Sequence, residues 1–143
     1  MSRALGVDYG QRRVGLALSD RERLIAQTYA TLPNRGALGA VVEALCQVIK
    51  REEVGQVVVG WPLRLNGKEG LQTRKVAQLI EALSARTDVP IARWDERLST
   101  VSAERALIEG GVGRDARKRK VDQVAACFIL QGWLDAQRQA EPS

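Results

Sequence analysis

Acidic residues occur at three places in this chain where a carboxylate has chemistry to offer. Asp8 lies near the end of the first apolar run, in "GVDYG". Asp95 and Glu96 directly follow the apolar stretch "PIARW". Asp122 heads an apolar line in "KVDQVAACFILQGW". An ionised carboxylate removed from water is costly unless something pairs with it. Carboxylates gathered from separate elements can hold two divalent ions about 3.5–4 Å apart, the arrangement that clamps the attacking and leaving oxygens of a phosphodiester displacement. The chain has no histidine, which removes Ser-His and Cys-His nucleophile pairs, imidazole proton shuttles and histidine zinc sites together. Enzymatic chemistry here must rest on carboxylates, Lys/Arg, hydroxyls or a thiol, and carboxylates with Mg²⁺ or Mn²⁺ are the leading option.

Each acid also has a plainer explanation. Asp8 precedes Gly10 and suits a turn. The segment "WDERLST" (94–100) reads equally as a solvated loop, with Ser99 or Thr100 capping a following helix. Asp95 and Glu96 project to opposite sides, so only one of them reaches a given site. Asp122 aligns with Ala126, Ile129 and Trp133 at 3.6 residues per turn, which points it inward. A helix over 118–138 would put it in the first turn, where the macrodipole favours negative charge. Arg117, Lys118, Arg119 and Lys120 oppose that dipole, so they are either a solvated face or a phosphate-binding rim joined by Arg12 and Arg13.

The elements that must position these residues follow from periodicity. Residues 3–9 and 13–19 read as strands joined by a turn at Gly10, with Val14, Leu16 and Leu18 alternating against Gly15, Ala17 and Ser19. Asp8 shares its strand face with Ala4 and Gly6, small neighbours that leave room for something to approach. A third extended stretch covers 24–33. Helices are expected over 37–53 and 70–86, strands over 56–61 and 90–94, and two last helices over 100–109 and 118–138, separated by the loop "GGVGRD". The order β-β-β-α-β-α-β-α-α makes a meander followed by two crossovers. That is an α/β domain with a mixed sheet, three antiparallel strands then two parallel, and helices on both faces. A single domain over 1–138 with a short tail, 139–143, is expected.

Composition bounds the rest. The 143 residues carry 27% charged side chains, a net charge of +5 and a sequence pI near 9.7, favouring an anionic partner. No apolar run is long enough to cross a bilayer and no signal-peptide layout is present, so a soluble cytoplasmic protein is expected. Cys46 and Cys127 have no metal-ligand spacing and read as buried free thiols.

Four segments, "GVDYGQRRVGLALSD", "VVVGWPLRLNG", "DERLSTVSAERALIEGG" and "KVDQVAACFILQGWL", together resemble the YqgF/RuvX family of bacterial ribonuclease H-like proteins, from about residue 4 to 134. The resemblance implies a ribonuclease H-like fold with a five-stranded mixed sheet. It also implies an Asp-Glu-Asp nuclease site, which by motif falls on Asp8, Glu96 and Asp122, with Asp95 the alternative if its strand runs one residue longer. Family members are described as Holliday-junction resolvases and as nucleases maturing the 5′ end of pre-16S rRNA. The expected cofactor is Mg²⁺ or Mn²⁺, as two ions, and the expected partner is pre-rRNA or branched or single-stranded DNA. The expected assembly is a monomer or homodimer; symmetric junction cleavage needs a dimer. In "GWPLRLNGKEG", Asn66-Gly67 forms a turn that either contacts the nucleic-acid backbone or simply connects two elements.

Two rival readings remain at this point. "DYGQRRVG" also looks like the phosphate turn of actin/hexokinase-type ATPases, a reading that requires a second similar domain. A non-catalytic RNA-binding assembly factor would use the basic helix start, although 4% aromatic residues argue against a base-stacking platform.

Overall fold

Strand alternation sorts the apolar residues of this chain onto two unequal faces. The computed structural model describes residues 2–64, 66–98 and 114–140, with side chains of the last segment from residue 120 onward. In chain order it contains β1 (Arg3–Tyr9), β2 (Arg13–Ser19), β3 (Ala26–Pro33), α1 (Leu38–Arg51), β4 (Val54–Trp61), α2 (Leu71–Ser84), β5 (Ile91–Asp95), a 3₁₀ turn (Glu96–Leu98) and α3 (Arg114–Ala140). The five strands form one sheet in the order β3-β2-β1-β4-β5. The first three run antiparallel to their neighbours, while β1-β4 and β4-β5 are parallel. This is the expected mixed α/β sheet.

On one face, Leu5, Val7, Leu16, Val57 and Val59 pack against the apolar stripes of α1 and α2. Val41, Leu45 and Val48 supply the first stripe, and Val76, Leu79 and Leu83 the second. These recur at helical spacing, as a one-sided amphipathic helix requires. Buried Thr73 fixes the start of α2: its hydroxyl donates to the Pro62 carbonyl at 2.7 Å and accepts from the Gly70 amide at 3.1 Å. The beginning of α2 is thereby tied to the end of β4.

The opposite face is paved with small residues, Ala4, Gly6, Gly15, Ala17 and Gly60, around Val58, and α3 lies on it through Ala125, Ala126, Ile129, Leu130 and Leu134. Contact is close enough to exclude side chains. A Cβ at Gly6 would stand 2.7 Å from Leu130 Cβ and 2.8 Å from the Ala126 carbonyl oxygen. The small residues beside Asp8 therefore do not open space for an ion, as the sequence suggests. They let a helix approach.

The helix boundaries differ in one consequential way. α3 begins at Arg114 rather than at 118, because Arg114, Ala116 and the basic run are good helix formers and continue the helix upstream. Asp122 is thus two turns inside α3, beyond the reach of the terminal dipole; its charge is balanced instead by a side chain described below. α3 also runs to Ala140, into the expected tail. Of the loop "GGVGRD", Arg114 and Asp115 are helical. Residues 110–113, the helix expected over 100–109, the caps at Ser99 and Thr100, and the side chains of Arg117, Lys118 and Arg119 lie outside the described residues.

The third strand starts at Ala26 because the Asp20 carboxylate accepts the Leu24 and Ile25 amides, at 2.8 and 2.9 Å, and holds those residues in a turn. Cys46 and Cys127 are free and half-buried. Burial pushes the Cys127 thiol up to about 11, far from a nucleophile's range. No helix among the described residues is long and apolar enough to cross a membrane.

Candidate active site

The three parallel strands β1, β4 and β5 end at the same edge of the sheet, which in open α/β sheets is where ligands bind. Asp8 is the penultimate residue of β1 and is only 8% exposed. In the antiparallel ladder it faces Gly15 of β2. That glycine determines where α3 sits. A Cβ there would be 2.0 Å from the Asp122 carbonyl oxygen and 2.9 Å from Asp122 Cβ. The bare backbone of Gly15 seats Asp122 against the strand pair that carries Asp8.

A second glycine does the same for the third acid. β5 ends at Asp95, one residue further than the sequence indicates, and Gly60 and Trp61 of β4 pair with Trp94 and Asp95. A Cβ on Gly60 would stand 2.8 Å from Glu96 Oε1 and 2.6 Å from Ile129 Cδ1. The Glu96 carboxylate occupies the space that a larger residue would take. Asp95 projects the other way, as strand alternation requires. It is engaged by Arg97, whose Nη2 donates to Oδ2 at 2.7 Å and whose backbone amide donates to Oδ1 at 3.0 Å. That guanidinium holds the Asp95 carboxyl below the usual carboxylate range. Of the two adjacent acids, the structure brings Glu96 to the site and assigns Asp95 to Arg97.

Asp8, Glu96 and Asp122 line one cleft of about 250 Å³, together with Gly10, Gln11 and Gln72. Among the described residues no three Asp, Glu, Cys or His side chains stand at coordinating distance of a common point, and the carboxylate of Asp122 is bound to Arg13. The Arg13 Nε donates to Asp122 Oδ2 at 2.6 Å, between side chains that are 31% and 16% exposed. This ion pair bridges β2 and α3 and supplies the charge balance for Asp122.

Arg12 is exposed on the turn after β1, and Lys120 is exposed on α3. Asn66 is exposed and accepts from the Lys68 amide at 3.0 Å, stabilising its own turn with Gly67 at a φ of +83°. It does not line the cleft, although a Cβ on Gly67 would stand 3.2 Å from the Arg97 guanidinium. Two contributors are not apparent in the sequence. Asn34 donates to the Gly10 carbonyl at 2.8 Å and so fixes the turn after Asp8. Gln72 donates to the Tyr9 carbonyl at 2.7 Å from the first turn of α2. Both depend on register between distant segments, for which no local signal exists.

A family model described as "RuvX: Holliday junction resolvase" matches residues 2–136. The chain is 44% identical over 136 residues to a Myxococcus xanthus protein named "Putative pre-16S rRNA nuclease", covering 95% of this chain and 89% of that one. A Clostridioides difficile protein of the same name is 42% identical, with 93% and 94% covered. Among solved structures, Thermus thermophilus RuvC in complex with Holliday junction substrate aligns with a TM-score of 0.64 over 98% of both chains at 14% identity. The Fowlpox virus resolvase bound to Holliday junction DNA aligns at 0.55 and 12% identity, over 94% of this chain and 98% of that one. At such identities the likeness is one of fold, and it is the ribonuclease H-like fold that the sequence resemblance implies.

Proposed function

This chain belongs to the RuvX family, and from that membership we propose that it is a metal-dependent nuclease that hydrolyses phosphodiester bonds, with the 5′ end of pre-16S rRNA as its substrate. The observation that carries the reading is the meeting of Asp8, Glu96 and Asp122 in one cleft, delivered by a strand, a strand end and a helix. Relatives 44% and 42% identical bear the pre-16S nuclease name, which supports RNA as the substrate.

The donor types fit a hard divalent cation, on which the three carboxylates would have to close from the wider spacing they have here. Three carboxylates offer only oxygen, the ligand that Mg²⁺ and Mn²⁺ prefer, and the exposed Gln11 beside them carries an amide oxygen. Asp8, Glu96 and Asp122 would hold it, as one ion or two. Bound there, it would supply Lewis-acid activation of water and neutralise charge developing on the phosphate.

The chain's own residues set up the rest. Asp8 is fixed by the β1 ladder and Glu96 by the close approach at Gly60, so neither carboxylate needs to be ordered when the substrate arrives. Arg13 lies at the cleft margin on Asp122. Its guanidinium would there donate to a phosphate oxygen of a strand lying on the cleft. Exposed Arg12 and Lys120 extend the positive rim, with Arg117, Lys118 and Arg119 proposed for the same phosphate-binding role.

The test is cleavage, by the purified protein, of 5′-extended pre-16S RNA and of a four-way DNA junction with Mg²⁺ or Mn²⁺ and with EDTA. Metal-dependent trimming of the RNA is expected. Symmetric incision of the junction, with the RNA untouched, would favour the resolvase reading supported by the family description. Binding of both without cleavage would replace the nuclease by a non-catalytic assembly factor.

A further inference from the structure

A second cavity, of about 270 Å³, adjoins the acid cleft across the turn that follows Asp8. The two share Tyr9, Gly10, Gln11 and Gln72, and the second is closed by the Asn34–Leu38 segment and by Lys75 and Gln78 of α2. Their chemistries are opposite. The first is lined by three carboxylates, whereas the second has none and carries one ammonium group and several amides.

Some of these amides are already committed. Asn34 donates to Gly10 and accepts from the Gly36 amide at 3.3 Å, so it builds the wall. Gln72 uses its Nε2 on the Tyr9 carbonyl, but its Oε1 is buried without a hydrogen-bond partner. An oxygen with no exposed surface does not meet what enters the cavity, so Gln72 too belongs to the wall. The side chains of Gln11, Lys75 and Gln78 make no hydrogen bond or ion pair among the described residues, and all three are exposed.

Side-chain amides present a donor and an acceptor side by side, the pattern displayed by the edge of a nucleobase, while an ammonium group answers a phosphate. Those base edges are open to such contacts when the nucleotide is unpaired. The volume lies just below the roughly 300 Å³ at which pockets for drug-sized ligands begin, which suits one base rather than a stacked pair. We propose that this cavity is a subsite for the unpaired nucleotide next to the phosphate held at the acid cleft. Gln11 and Gln78 meet its base edge and Lys75 its phosphate. The assignment rests on the nuclease reading for the identity of the strand, and it adds the direction in which that strand leaves the cleft.

The test is a double-mutant cycle between protein and RNA. Hexanucleotide RNAs, each with one abasic ribose at a different position, are titrated by fluorescence anisotropy against the full-length Asp8→Asn protein and the same protein carrying Gln78→Ala. At one position, loss of the base should weaken binding about tenfold in the first protein and about threefold in the second, because one of the base contacts is already gone. Lys75→Ala should instead weaken all the RNAs alike and lower the salt slope by about one. Gln78 is exposed, so its truncation leaves the fold intact. Equal abasic penalties with and without Gln78→Ala, or no sensitive position, would overturn the subsite. Cleavage by the wild-type chain reports separately: a protein that cleaves but shows no coupling loses only the subsite, and one that shows coupling without cleaving keeps the subsite and loses the nuclease.

Discussion

Replacing Asp8 with asparagine is expected to lower the cleavage rate by on the order of a thousandfold, about 4 kcal/mol of transition-state stabilisation, while the protein stays folded. Asparagine keeps the shape of the side chain and its carbonyl oxygen but gives up the charge. At 8% exposure that charge sits in a poorly hydrated place, where its attraction for a cation is stronger than at the surface. Neutralising it takes away a charged ligand while keeping the side chain's volume. Burial of a neutral amide in place of a carboxylate also relieves a desolvation cost, so the thermal midpoint should stay within a few degrees of wild type. Initial rates on the RNA precursor and a melting curve measure the two quantities. Activity within threefold of wild type would remove Asp8 from the chemistry.

Gly15→Ala is expected to damage both stability and activity. The added methyl would lie 2.0 Å from the Asp122 carbonyl oxygen and 2.4 Å from its carbonyl carbon. Both are backbone atoms, so relief requires α3 or β2 to move bodily. Overpacking of this kind costs about 1–3 kcal/mol, occasionally more, and the displaced segment is the one that sets Asp122 beside Asp8. Two other glycines separate the effects. Gly6→Ala meets Leu130 and Ala126, further along α3 from the acids, and should cost stability with a smaller loss of rate. Gly39→Ala, in α1 with nothing within 4 Å, should be neutral or slightly stabilising through helix propensity. Urea midpoints and cleavage rates for the three variants decide the matter. A Gly15→Ala protein as stable and active as Gly39→Ala would contradict the close packing of α3.

Much of this was legible because the signals are local. The alternation of Val14, Leu16 and Leu18 with Gly15, Ala17 and Ser19 places β2 at its observed bounds, and β1 matches likewise. The inward line Asp122, Ala126, Ile129 survives in α3, where Ala126 and Ile129 are fully buried. Features that depend on distant parts of the chain were not legible. Arg13 reads as a phosphate contact in its own segment, and its partner Asp122 is 109 residues away. The small residues around Asp8 read as open space because nothing in β1 announces that α3 will fill it. The choice between Asp95 and Glu96 did not follow strand length: β5 runs the extra residue to Asp95, yet Glu96 lines the cleft and Arg97 captures Asp95. A boundary of that size is finer than periodicity resolves.

The central claim is that Glu96, and not its neighbour, completes a cation-binding set with Asp8 and Asp122. Titration calorimetry of Mn²⁺ into the wild-type, Glu96→Gln and Asp95→Asn proteins tests it most directly. The predicted result is affinity lowered about tenfold or more by Glu96→Gln, through loss of one of three charged ligands, and unchanged by Asp95→Asn. Mn²⁺ binding that is insensitive to Glu96→Gln, or that weakens only in Asp95→Asn, would contradict it.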